Sequence, residues 1–248
     1  MTDDATRDLE ERAFNACPAT KTVSYGGWIF RISDGFVKRA NSANPIDPTV
    51  SFAEVRDAAE NIYARYDLPS TFRLTPLAPP SVDEELQGAG YDMVDPSLVL
   101  VAPLVPGPLT MDVIMEAAPS TAWLAGSAAA DGIGPERRRA HERIVSSIAM
   151  PRVFATVVEN GRPIGFGMAV YEREAVGLFG LVVARSERGR GKGRDLTLAL
   201  LEWGRRKGAQ RAYLQVLDGN AAARALYESL GFRTAYRYHY RVPHNREG

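Results

Sequence analysis

Residues 175–183, AVGLFGLVV, are apolar on both faces and run directly into a basic, glycine-rich stretch, ARSERGRGKGR. A strand without polar alternation has to be covered on both sides, so this segment reads as a central strand of a helix-covered sheet. Helical spacing resumes at about residue 192 and continues to about 207. A strand, a glycine turn and a helix start in that order leave free amides at one point. This junction constrains the rest of the chain.

Around it the pattern is α/β. Strands are expected at about 152–158 and 163–171, joined across Asn160-Gly161, a two-residue hairpin turn. A strand at 211–216, a helix at 220–229 and two strands over 232–243 follow. Upstream, a strand at Leu109–Met115 precedes helices near 120–128 and 135–148. The N-terminal half reads as a helix over 6–17, then an alternating strand at Trp28, Phe30 and Ile32. Asp34-Gly35 offers a turn into a strand at Phe36–Ala40. Ser51 with Glu54, and Ser81 with Glu84, have capping-box spacing. Val55, Ala59, Ile62 and Tyr66 follow the first pair at helical intervals, and Thr71–Thr75 is a short strand. Gly90-Tyr91 leads into a strand ending near Val101. Ala102–Pro108, APLVPGP, interrupts both kinds of structure and divides the chain into 1–106 and 107–248. Both halves end on a glycine-aromatic step, Gly90-Tyr91 and Gly231-Phe232, which suggests a duplicated unit. Tyr25 and Trp28 stand as candidates for a cleft in the first half.

With 30 basic and 30 acidic residues among 248, the net charge is zero. A dedicated nucleic-acid binder usually carries a basic excess, so an anion here must be held by a local feature. Cys17 is the single cysteine, which excludes a disulfide framework and a multi-cysteine metal site. The acidic start MTDDATRDLEE is unlike a secretory signal, and no apolar run reaches membrane-spanning length. A cytoplasmic protein, monomeric or homodimeric, is the expectation.

The local feature is the glycine stretch. Arg188, Gly191 and Gly193 form R-x-x-G-x-G, with Gly189 as an additional glycine. Glycines let a backbone approach a ligand closely, and the amides at the following helix start favour phosphate. Arg188, Arg190, Lys192 and Arg194 add positive charge. A Walker loop requires glycine at 186 and Ser or Thr at 193, where Ser186 and Gly193 stand. A dinucleotide fingerprint from Gly189 requires a small residue at 194, where Arg194 stands. A solvated basic turn is the plainer role of the motif by itself. Downstream, Asn220 is a natural helix cap and Tyr227 lies on the Ala223–Leu230 face, where a packed core tyrosine is its plainer role.

In order and spacing, LVVARSERGRGKG followed by N-x-x-A-x-x-x-Y-x-x-x-G-F resembles the GNAT superfamily of acyl-CoA-dependent N-acetyltransferases. The likeness is strongest from Gly177 to Tyr240 and extends more weakly back to Leu109, and the motifs look like those of the bacterial ribosomal-protein alanine acetyltransferases and their many relatives. The resemblance implies a mixed-sheet α/β GNAT fold, with two tandem GNAT-like domains and one acetyl-CoA site in 107–248. The fourth and fifth strands of that fold splay apart. The pantetheine arm would then pair with Leu181, Val182 and Val183. The diphosphate would sit on Arg188, Gly189, Arg190, Gly191, Lys192, Gly193 and Arg194, with Asn220 near the coenzyme backbone and Tyr227 beside the sulfur. No metal is implied.

The implied chemistry is attack of a neutral amine on the acetyl-CoA thioester. An amide of Val182 or Val183 would receive the oxyanion, and Tyr227 would protonate the departing thiolate. Where those relatives have a glutamate base, this chain has Gln215, which accepts no proton at neutral pH. Glu172, Glu174 and His239 are the alternative bases, each with a plainer structural role. The N-terminal half has NSANPIDPTV where a phosphate loop would stand, and so is expected not to hold the coenzyme. Two rivals remain: an acyl-CoA-binding module without turnover, and a nucleic-acid binder using RGRGKGR.

Overall fold

The computed structural model describes residues 2–104 and 113–244. Most of the expected linker, and the first residues of the strand expected from Leu109, lie outside them. The chain divides into two compact units. Unit 1 takes Met1–Val99, Leu217–Gly219 and Thr234–Gly248, and unit 2 takes Leu100–Val216 and Asn220–Arg233. The units therefore differ from the contiguous halves 1–106 and 107–248, because the C-terminal strand belongs to unit 1.

Unit 1 begins with α1 (Asp3–Ala16), β1 (Lys21–Tyr25), β2 (Trp28–Ile32), β3 (Ala43–Pro45) and α2 (Phe52–Ala64). It continues with β4 (Phe72–Leu74), α3 (Ser81–Gly88) and the first part of β5 (Tyr91–Pro103). On one face Trp28, Phe30, Ile32, Phe72 and Leu74 pack against Val55, Ala59 and Tyr63 of α2 and Val82 and Leu86 of α3. Trp28 is thus a core residue. Tyr63, whose hydroxyl donates to the Arg31 carbonyl at 3.1 Å, takes the buried place expected of Tyr66, which is exposed.

Several local expectations fail here for identifiable reasons. The hairpin partner of β2 is β1, turned through Gly26-Gly27 with φ of 54° and 78°. Only glycine fits there, since a Cβ on Gly27 would overlap the Asp47 carbonyl. The segment expected as a strand at 36–40 makes a single 3-10 turn over Lys38–Ala40. Ser51 stands at the cap of α2 and its carbonyl accepts from the Val55 amide, but its side chain bonds none of the helix amides; at α3, Pro80 rather than Ser81 stands at the cap.

Unit 2 contains β6 (Val113–Glu116), α4 (Thr121–Asp131), α5 (Pro135–Ser146), β7 (Arg152–Glu159) and β8 (Arg162–Glu172). After these come β9 (Ala175–Val183), α6 (Lys192–Arg206), β10 (Arg211–Leu217) and α7 (Ala221–Ser229). The two final strands expected over 232–243 are one strand, β11 (Arg233–Pro243). The sequence there holds no turn residue to break it. Asn160 and Gly161 adopt φ of 51° and 73° between β7 and β8, as a two-residue hairpin turn requires.

The strand order is β1-β2-β3-β4-β11-β5 in unit 1 and β5-β10-β9-β8-β7-β6 in unit 2. In unit 2 the β5 end is represented by residues from Leu100 on, with the Leu104 amide donating to the Gln210 carbonyl at 2.9 Å. The series β1-β2-β3-α2-β4-α3-β5 and β7-β8-β9-α6-β10-α7-β11 repeat one element order. Gly90 and Gly231 close the corresponding helices α3 and α7 with φ of 84° and 87°, the left-handed exit that glycine favours.

The faces of the unit 2 sheet are set by two glycines. A Cβ on Gly126 of α4 would strike the Phe166 ring, whereas one on Gly167 would press on Leu196 and Leu200 of α6. Since Phe166 and Gly167 are consecutive strand residues, α4 and α6 cover opposite faces.

Candidate active site

Strands β9 and β10 are paired in parallel from Ala175↔Arg211 to Leu178↔Leu214 and no further. Both continue, β9 to Val183 and β10 to Leu217. A gap therefore opens past Leu178 and Leu214. On its other side, β9 stays bound to β8, with a register shift between Phe166 and Met168. Gly180 and Leu181 of β9 share the place opposite Gly167, and Gly180 has φ of 60°. A left-handed glycine at the first bulge position bends the strand and raises its twist.

Beyond the bulge the direction of each amide follows from the ladder. The Ala184 amide donates to the Ile164 carbonyl at 2.8 Å, and Val182 lies opposite Phe166. By alternation Val182 directs its amide toward β8, while Leu181 and Val183 direct theirs toward the gap. Of the two amides expected to meet an oxyanion, that of Val183 therefore faces the gap and that of Val182 faces β8.

The glycine turn stands at the end of β9. Gly189 and Gly191 have φ of 77° and 79°, and a Cβ on either would meet nothing within 4 Å. The main chain is thus bare on that side. Helix α6 begins with Arg194 and Asp195 both donating to the Gly191 carbonyl, so the Gly193 amide lies ahead of the first intrahelical bond. Open space, unbonded amides and the positive end of a 15-residue helix suit a diphosphate.

The four cations are oriented by neighbours. Arg188 Nε donates to the Val183 carbonyl at 3.0 Å and Arg190 pairs with Glu187 at 2.9 Å. Lys192 Nζ meets Glu159 at 2.6 Å, and Arg194 donates to Ser229 Oγ at 3.0 Å. The Lys192 bond holds the Glu159 carboxyl below the usual carboxylate range.

Helix α7 abuts the same junction. A Cβ on Gly193 would touch Leu226 of α7 at 3.5 Å and Val183 at 3.9 Å. Asn220 caps α7, accepting from the Ala223 amide at 3.2 Å. Tyr227 is buried with its ring edge-on to Phe232, centroids 5.8 Å apart. Its hydroxyl makes no hydrogen bond among the described residues, and burial pushes its pKa above the ordinary phenol value.

The candidate bases are dispersed. Glu172 and Glu174 flank the turn at the start of β9. The glycine turn lies at its other end, eight residues or about 26 Å away. His239 belongs to unit 1, where its Nε2 meets Asp83 at 2.9 Å. Gln215 is the first β10 residue past the last rung shared with β9. Sequence reasoning missed Phe179 and Tyr213, which flank that rung, and the bulge at Gly180. A glycine inside an apolar strand was the available signal for the bulge.

Unit 1 has a different version of the opening. Strands β3 and β4 share the single parallel rung Ala43↔Phe72, and Pro45 has no N–H with which to extend it. Helix α1 spans the opening. Arg7 donates to the Ile46 carbonyl at 3.1 Å, and buried Glu10 pairs with buried Arg73 of β4.

A family model described as the C-terminal region of the probable histone acetyltransferase Rv0428c matches residues 4–241. The chain belongs to this family of GNAT N-acetyltransferases. It is 28% identical to the uncharacterized N-acetyltransferase YobR of Bacillus subtilis, covering 96% of this chain and 99% of the relative. It is 29% identical to Rv0428c of Mycobacterium tuberculosis, covering 95% of this chain and 73% of that protein. A GCN5-related N-acetyltransferase from Kribbella flavida superposes with a TM-score of 0.72 at 18% identity, covering 96% of this chain and 95% of that one. A tandem GNAT protein from the clavulanic acid biosynthesis pathway gives 0.64 at 16% identity, covering 95% and 87%. The mixed sheet is therefore the GNAT fold. Among the described residues no helix is long and apolar enough to cross a membrane, and no group of three His, Cys, Asp or Glu is placed to hold a metal.

Proposed function

We propose that this acetyltransferase moves an acetyl group from acetyl-CoA directly to a primary amine, using unit 2 alone for the donor. One observation carries the reading. Pairing of β9 with β10 stops at Leu178↔Leu214, leaving an open main-chain edge that leads to a bare glycine turn at a helix start.

The features of this arrangement support such a donor. Gly189, Gly191 and Gly193 give a close approach for the diphosphate, and Arg188, Arg190, Lys192 and Arg194 supply surrounding charge. The arm runs along Leu181–Val183, where gap-facing amides replace the missing strand. Acetyl-CoA supplies a thioester carbonyl open to attack. A Leu181 amide turned toward the gap stabilises the negative charge that develops on its oxygen. Tyr227, protonated across the physiological range, donates to the departing sulfur. Asn220 holds the first turn of α7 and thereby sets the direction of the helix bearing Tyr227.

The amine must reach the site neutral, and Gln215 cannot take its proton. We assign that step to solvent, with Gln215 orienting a water molecule. The name carried by Rv0428c makes a protein lysine the first acceptor to test. Unit 1 is the degenerate partner in a tandem pair, its opening spanned by α1 and its loop bearing Asp47. A cytoplasmic protein, monomeric or homodimeric, fits this role.

Gln215 also favours a second reading, an acyl-CoA-binding module without turnover. The test is release of CoA thiol from acetyl-CoA in the presence of an amine and lysine-peptide panel. Amine-dependent thiol release supports transfer. Tight CoA binding with no release from any amine favours the module.

A further inference from the structure

Two aromatic rings stand at the closed end of the gap. Phe179 of β9 and Tyr213 of β10 pack edge-to-face, with centroids 5.9 Å apart and planes at 81°. Both are buried. Tyr213 lies opposite Gly177, one residue before the last shared rung, and Phe179 is the first β9 residue after it. The pair therefore straddles the point where the strands part. Gly177 makes room for it, since a Cβ there would come within 2.6 Å of both rings.

Their face is determined. Met168 lies opposite Phe179, and Val170 opposite Gly177. Phe166 shares the parity of Met168 and Val170 on β8 and packs on α4. The rings thus lie on the α4 side of the sheet, away from α6. From Val183 back to Phe179 is four residues, about 13 Å of strand. An arm anchored at the glycine turn and running back along β9 is directed at these rings.

We propose that Phe179 and Tyr213 form the floor of the acyl pocket and restrict the donor to short acyl chains, acetyl above all. This inference rests on the acyl-CoA reading of the gap. A two-carbon acyl group placed beside Leu181 stops short of the floor, which is two residues further along. Longer chains must displace one of two buried, mutually packed rings. Any gain in room must come from cutting the rings back, because the backbone below them is closed by the Leu178↔Leu214 rung.

The experiment compares acetyl-, propionyl-, butyryl- and hexanoyl-CoA as donors for wild type, Phe179→Ala, Phe179→Leu and Tyr213→Leu, with kcat/KM for each donor. The leucine variants keep apolar bulk in case the alanine variant fails to fold, and far-ultraviolet circular dichroism checks each protein. Wild type should prefer acetyl-CoA to butyryl-CoA at least 10-fold. In a folded variant that ratio should fall at least 10-fold, through gains on the longer donors. A folded Phe179→Leu and Tyr213→Leu pair with the wild-type donor ranking overturns the pocket floor while leaving the donor site intact. Wild type that accepts hexanoyl-CoA as readily as acetyl-CoA also overturns it. Absence of binding or turnover with every acyl-CoA overturns instead the reading on which it rests.

Discussion

Leu178 and Leu214 form the last rung between β9 and β10, and every donor-binding group proposed on β9 lies beyond it. A sheet normally satisfies its edges by pairing, covering or blunting them. Here an edge is created inside the sheet, by a bulge at Gly180 on one strand and the end of pairing on the other. The gap-facing amides of Leu181 and Val183 are the proposed means of binding.

Tyr227 is expected to act as an acid and not as a holder of the donor. Tyr227→Phe should lower kcat about 100-fold or more, within the range for a positioned acid, and leave acetyl-CoA affinity within about twofold of wild type. Because burial raises the phenol pKa, the protonated form persists above the ordinary value near 10. The alkaline limb of the wild-type kcat profile should therefore lie above that value and vanish in the variant. Stopped-flow turnover with separate calorimetric binding checks both parts.

The glycine turn yields a contrast between folding and binding. Gly191→Asp meets no steric neighbour, so its intrinsic penalty is the left-handed backbone, about 1 kcal/mol. CoA affinity should fall far more, at least 10-fold, through bulk and negative charge where the diphosphate docks. Arg188→Ala should weaken binding in the same direction. Calorimetry alongside thermal melts separates the two effects.

Asn220 has a structural bond and a proposed ligand role that can be parted. Asn220→Ala removes the cap on α7 and should lower stability by about 1 kcal/mol. Asn220→Ser keeps a capping oxygen and should restore most of it. CoA affinity that recovers with the serine makes the residue a cap alone, whereas affinity that stays low places the carboxamide on the coenzyme. Chemical denaturation and CoA titration of both variants decide this.

In unit 1, burial disfavours the Asp83 anion, but bonds from Arg241 and His239 outweigh it and hold the carboxyl below the usual range. A folded-state pKa below the unfolded one gives stability that is present above the ordinary aspartate pKa. That stability is lost as the pH falls through the lowered value. Asp83→Asn should therefore flatten the acid side of the stability curve below about pH 4 and lower stability at neutrality. Urea unfolding across pH 2–7 checks the sign.

How much was legible in the sequence varies with the physics behind each element. The β9–turn–α6 junction, the hairpin at Asn160-Gly161 and the cap at Asn220 were readable because each depends on a few adjacent residues. On α2 the spacing places Val55 and Ala59 in the core but tolerates either Tyr63 or Tyr66 as the last residue of the face, and packing against Phe30 chooses Tyr63. The place of β11 in unit 1 was not legible, since strand partners are set by the whole sheet. Val182 was named with its neighbours, but the direction of its amide depends on ladder parity past a bulge. Phe179 and Tyr213 belong to no motif, and only the parting of the strands beside them sets them apart from other core aromatics.

The central claim is that the donor lies in the gap of unit 2. A crystal structure with bound CoA tests it most directly. The account predicts the diphosphate within hydrogen-bond distance of the Gly191 and Gly193 amides, and the sulfur between β9 and β10 beyond Leu178 and Leu214. A coenzyme bound elsewhere, with those amides facing only solvent, would contradict it.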